Sequence, residues 1–185
     1  MAYPYTIENG AGERLTFLRV VRDGETERVE AEGFATPGAG PPMHVHRLQE
    51  EAIEVVSGKL GYQVVGGAPQ YAGPGERVAF APGVGHKWWN AGSDELHTTG
   101  WAKPPFNIEF FLGAIFDATR RGGGTRPGIF DAVYLTTRYR SEFELLEIPG
   151  PVKRILFPIV YALGYVLGKH ARYKDAPPPI AGPRA

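Results

Sequence analysis

Between residues 14 and 103 the chain is a succession of short strand-prone segments cut apart by turn residues. Residues 15–21 and 26–34 flank Arg22-Asp23-Gly24, and Asp-Gly is a strong hairpin signal because both residues accept positive φ. Residues 52–57 and 60–65 meet at Gly58, and Gly66-Gly67 and Gly73-Pro74-Gly75 mark further turns. Residues 77–80 and 86–90 follow, and Ala91-Gly92-Ser93-Asp94 leads into residues 96–102. Short strands at this spacing predict an all-β sandwich or barrel.

Strand alternation fixes which side chains face the core. Glu51, Ile53 and Val55 share one face, and Glu50, Ala52, Glu54 and Val56 share the other. The face carrying Glu51 is otherwise apolar, so Glu51 points inward and Glu50 outward. The same count puts Leu60, Tyr62 and Val64 inside, against Lys59, Gly61 and Gln63. His44 and His46 share a face, as do His86 and Trp88. A slip of one residue would reverse every one of these assignments.

After Pro104-Pro105 the texture changes to helical spacing, with Ile108, Phe111, Leu112 and Ile115 on one stripe and Gly122 as a stop behind Arg120-Arg121. Pro127 can open a second helix with Phe130, Val133, Tyr134 and Thr137 on one face. Ser141-Glu142-Phe143-Glu144 reads as a capping box ahead of Leu145-Leu146. Pro151 opens a last helix, apolar almost all round over residues 155–168, with a kink at Pro158. The expected organisation is a β-barrel over residues 1–103, a helical extension over 104–173, and a proline-rich, disordered tail over 174–185.

Composition narrows the functional classes. Lys+Arg and Asp+Glu are equal at 20 each, so no global field attracts nucleic acid. Cysteine is absent, which excludes disulfides, thiolate catalysis and thiolate-bound zinc and restricts any metal to N and O ligands. The first residues lack a basic segment followed by an apolar run, so a cytoplasmic protein is the expectation.

The chemistry-bearing residues form a two-part pattern. The first part runs Gly38, His44-Val45-His46, Glu51, Gly58, and the second runs Gly75, Gly83, His86, Asn90. Two imidazoles on one strand face lie about 7 Å apart at their Cα atoms and can converge on one ion. Imidazole and carboxylate donors suit one divalent transition metal: iron, manganese, nickel, copper or zinc. His44, His46, Glu51 and His86 would leave one or two positions of an octahedral ion open to a small-molecule ligand. Tyr62, Phe80 and Trp88 face the same interior and are candidate substrate-binding residues. His97 is at most a supporting group, its ordinary reading being an exposed or hydrogen-bonded histidine. His170 sits among cations near a helix end and carries no chemistry.

At these residues the chain resembles the cupin superfamily, over roughly residues 35–103. One departure is visible, since the family's usual proline falls on Ala81 and Pro82 is shifted by one; this bears on the loop and not on the ligands. The resemblance implies a jelly-roll β-barrel, here with an α-helical C-terminal extension, and metal binding. It implies little about reaction, because cupins include dioxygenases, other enzymes and non-catalytic binders. The expected function is a metal-dependent oxygenase-like enzyme acting on a small molecule chelated at the metal; the alternative is a non-catalytic small-molecule or metal binder.

The apolar run over residues 155–168 sets the expectation about partners. Its fourteen residues span about 21 Å as helix, short of a bilayer's roughly 30 Å core, so a membrane span is not expected. A helix apolar all round is ordinarily buried, which predicts packing on the barrel or in a homodimer. An interfacial anchor is the competing reading, because Lys153, Arg154, Lys169, Arg172 and Lys174 flank the run.

Overall fold

The computed structural model describes residues 2–182. Among the described residues eleven strands form two sheets in which every pairing is antiparallel. The first sheet contains β1 (Tyr5–Glu8), β2 (Glu13–Asp23), β3 (Thr26–Ala35), β5 (Glu50–Ser57), β8 (Arg77–Phe80) and β10 (Leu96–Lys103), in the order β1-β2-β3-β10-β5-β8. The second contains β4 (His44–His46), β6 (Leu60–Val64), β7 (Gln70–Ala72), β9 (Gly85–Asn90) and β11 (Phe143–Leu145), in the order β11-β4-β9-β6-β7. Among the described residues the two ladders remain separate, so the architecture is a sandwich of two antiparallel sheets, and the pairing does not show the closed barrel that the sequence predicts. Nor is the chain all-β. Helices α1 (Ile108–Arg121), α2 (Ile129–Arg138) and α3 (Phe157–Val166) follow the sheets.

The inward phase holds along the strands. Ile53 and Val55 are buried while Val56 is exposed, and Leu60 is fully enclosed. Two Pro-Gly turns shape the loops between strands. In each, the residue after glycine donates its N–H to the carbonyl three back, Glu76 to Gly73 and Val84 to Ala81. Gly75 and Gly83 take positive φ of 84° and 81° at the third position, as a type II turn requires. Pro82 thus occupies the second turn position, and the one-residue shift from the family pattern leaves a regular turn.

The extension is not purely helical. Residues 143–145, which the sequence assigns to a capped helix start, form β11 and pair with β4 in the register Phe143↔His46 and Leu145↔His44. The exposed edge of β4 supplies backbone partners that outweigh a weak local capping signal. Phe111 of α1 stacks on Phe143 at 4.3 Å between ring centroids, so helix and strand dock on the second sheet together. Ahead of α3, Val152–Leu156 form one turn of π-helix, which absorbs the missing N–H of Pro158. The proline-rich stretch lies against the domain: Tyr139 Oη donates to the Pro177 carbonyl, Asn107 Nδ2 to that of Pro178, and Ile180 N–H to Glu142. Residues 183–185 of the expected tail lie outside the described residues.

Candidate metal centre

His44 and His46 project from β4, Glu51 from β5 and His86 from β9, all into the space between the sheets. Register explains the convergence, because β9 pairs with β4 so that His86 lies directly opposite His44. Ligand atoms of His44, Glu51 and His86 all lie within 4.8 Å of one another. Two donors about 2.1 Å from a shared ion stand at most about 4.2 Å apart, so these three need move by only a few tenths of an ångström to bind one. His46 stands beside them, its ring centroid 4.9 Å from that of His44 and its Nδ1 3.9 Å from Glu51 Oε2.

The imidazoles are oriented by backbone. His44 Nδ1 lies 2.8 Å from the Pro42 carbonyl and His86 Nδ1 2.9 Å from that of Val84. Each bond selects the tautomer in which Nδ1 carries the proton and Nε2 faces the site. His86 Nε2 sits 2.9 Å from Glu51 Oε2, so the two donor atoms face each other at the centre of the cluster. Behind it, Phe80 stacks flat on the imidazole at 3.9 Å and fixes the ring plane. Phe143 meets the His46 ring edge-on at 5.4 Å, so the extension reaches the site directly. The Gly83 N–H donates to the His46 carbonyl, tying the second motif's turn to the first motif's strand. Asn90, also in the motif, is a turn brace: its Nδ2 donates to Ala35 and Asp94 carbonyls and its Oδ1 accepts from Gly92.

The electrostatics suit a cation. Burial pushes His46 down to about 4, against the pull of Glu51, and burial likewise lowers His44. For Glu51 burial acts upward, but His46 and the His86 hydrogen bond outweigh it and hold the carboxyl well below its usual range. At neutral pH His44 and His46 are therefore neutral imidazoles beside an ionised Glu51 carboxylate, the protonation state metal ligation needs. One buried atom lacks any partner here, His46 Nδ1. An unsatisfied buried nitrogen costs on the order of 1–3 kcal/mol, and a metal in this cluster would relieve it. The residues fit the group.

Beside the cluster lies a cavity of about 140 Å³ whose walls include His44, His46 and Glu51. Phe17, Val29 and Ile53 line it from the first sheet, and Ile108, Leu112 and Phe116, one stripe of α1, line it from the extension. Of the three aromatic candidates, Trp88 alone lines it. Phe80 backs His86, and Tyr62 donates its hydroxyl to Gln70 Oε1, away from the cavity. His97 faces the outer side of the first sheet, 2.7 Å from Glu32 and stacked on Phe34, in keeping with its ordinary reading. Sequence reasoning missed Glu13 at the cavity wall, a carboxyl that burial raises despite a hydrogen bond from Asn9. The parity of β2 with Phe17 was the available signal. Residues 35–99 match the family model described as a cupin domain. That stretch carries a cupin domain. No curated protein sequence matches the chain.

Solved structures similar to it include a double-stranded β-helix protein from Klebsiella pneumoniae, with 25% identity over 46% of this chain and 69% of that one, at a TM-score of 0.40. KdgF from a Halomonas species matches with 15% identity over 57% of this chain and 92% of that one, at 0.48. The polyketide cyclase RemF from Streptomyces resistomycificus matches with 24% identity over 54% and 73%, at 0.45.

Proposed function

We propose that this cupin binds one divalent transition metal through His44, Glu51 and His86, with His46 as fourth ligand, and acts as a metal-dependent oxygenase-like enzyme on a small molecule. The observation that carries the reading is the donor cluster, with its orphaned His46 Nδ1, opening onto a mostly apolar cavity. A bound metal would supply Lewis acidity toward an oxygen donor of the substrate and a site for O₂. The chain's own residues do the rest. Phe17, Val29, Leu112 and Phe116 desolvate and position an apolar body, and Trp88 offers it a flat wall. Size limits the substrate, since an apolar cavity of roughly 150 Å³ takes a benzene-sized ring. A single-ring phenol, catechol or compact diketone therefore fits. Glu13 gives the wall one carboxyl, whose hold on a proton burial strengthens.

The test is oxygen uptake by metal-reconstituted protein against a panel of single-ring catechols, phenols and small diketones. Turnover abolished by His86→Ala supports the enzyme. Saturable binding of the same compounds without oxygen uptake favours the alternative, a non-catalytic binder, in which the same cluster and cavity only hold the ligand.

A further inference from the structure

Helix α3 meets the rest of the chain with one narrow face. Val160 and Gly164 are buried, and Tyr161 stacks on Tyr134 of α2. The opposite face is apolar and open: Ile155, Ile159, Leu163 and Val166 follow one another at helical spacing, and Val166 is 79% exposed. Leu156 and Leu167 widen the strip at its two ends. Between Glu147 and Asp175 the sequence holds five cations and no acidic residue. Lys153 pairs with Glu144 and Arg172 with Asp131, while Arg154, Lys169 and Lys174 have no ion-pair partner among the described residues. The free cations thus bracket the apolar strip, Arg154 before it and Lys169 and Lys174 after it.

We propose that α3 and the turn before it dock this protein on an anionic phospholipid surface, the helix lying in the plane of the interface. Apolar residues enter the acyl boundary while the flanking Lys and Arg stems reach the headgroups. No helix among the described residues is long and apolar enough to cross a bilayer, so the contact is lateral. Charge argues against a second copy as the occupant, because a two-fold interface on this strip would gather two unpaired cationic sets with no acidic residue between them. Size argues the same way. A helical strip about 20 Å long and about 10 Å across offers a few hundred Å², below the roughly 800 Å² per partner of a stable dimer.

The experiment is co-sedimentation of the full chain with vesicles of phosphatidylcholine alone or mixed with 30% phosphatidylglycerol, alongside light scattering of the protein in solution. Binding should be at least ten-fold tighter to the anionic vesicles and should weaken as salt rises, each free cation contributing about five-fold. Leu163→Glu with Val166→Glu should abolish it; both positions are exposed, so an unchanged melting temperature verifies folding. Arg154→Glu with Lys169→Glu should remove the anionic preference. Equal binding to both vesicle types, or none at low salt, overturns the proposal. A dimer that Leu163→Glu with Val166→Glu converts to monomer, without vesicle binding, assigns the strip to a second copy instead.

Discussion

Replacing Glu142 by alanine should cut the stability of the whole domain, because the segments its side chain holds together are far apart in sequence. Its carboxylate is fully enclosed, at 0% exposure, and no cation contacts it among the described residues. Four N–H donors converge on it: Asn107 Nδ2 at 2.7 Å, Ile180 N at 2.9 Å, Asn107 N at 3.3 Å and Gln49 Nε2 at 3.4 Å. The carboxylate thereby joins the loop before β5, the start of α1 and the C-terminal stretch. Alanine leaves Asn107 Nδ2 its second acceptor on Pro178 and lets Ile180 turn to water, but strands Gln49 Nε2 and the Asn107 N–H in the interior. Two buried donors at about 1–3 kcal/mol each give at most about 6 kcal/mol, and the length of the two bonds brings the expected loss to about 2–5 kcal/mol, nearer its lower end. For a chain of this size that lowers Tm by about 4–20 °C. Glu142→Gln, which keeps one acceptor oxygen, should cost about half as much. Urea denaturation of metal-free protein, followed by tryptophan fluorescence, reads the difference directly. A Glu142→Ala midpoint equivalent to less than about 0.5 kcal/mol of change would refute the tether.

Metal-free protein should become less stable as pH falls from 6.5 toward about 4, because His46 is held down to about 4 when folded and the unfolded chain takes up its proton first. That proton alone is worth about 3 kcal/mol, visible as a falling denaturant midpoint, and a flat profile over this window would contradict the burial of His46. Glu51→Ala should weaken metal binding at least ten-fold in calorimetry while Glu50→Ala changes it little, since β5 points the two carboxylates to opposite sides. Leu112→Trp should fill the cavity and block small-ring ligands while metal uptake persists; equally tight ligand binding would place the ligand elsewhere.

Much of this architecture is legible in the sequence because period-two alternation is a strict rule. Ile53 and Val55 inward beside Glu51, and Leu60 inward on β6, follow from counting, as does the opposition of His44 and His46 to His86 once two motifs are paired. Helix α1 is legible from its apolar spacing and its glycine stop. Three things were not legible. Parity gives a face but not a depth, so Phe80 and Tyr62 were as eligible as Trp88 for the cavity, and only the packing separates them. β11 is three residues long and exists because β4 offers an open edge, a condition no local window contains. Apolar character all round α3 suggested burial on the barrel or against a second copy; a single chain covers one face of it and has cations at both ends of the other, a division that no local window contains.

The most direct test of the central claim is metal content by mass spectrometry of protein reconstituted in turn with iron, manganese, nickel, copper and zinc, with Tm measured on the same samples. The account predicts about one ion per chain for at least one metal. At free metal about a hundred-fold above Kd it predicts about 2.7 kcal/mol of added stability, or a rise of about 5–11 °C. His86→Ala and His46→Ala should abolish both effects, and His170→Ala should leave both intact. No stoichiometric uptake of any of the five metals, or equal uptake by His86→Ala, would contradict the assignment of the cluster.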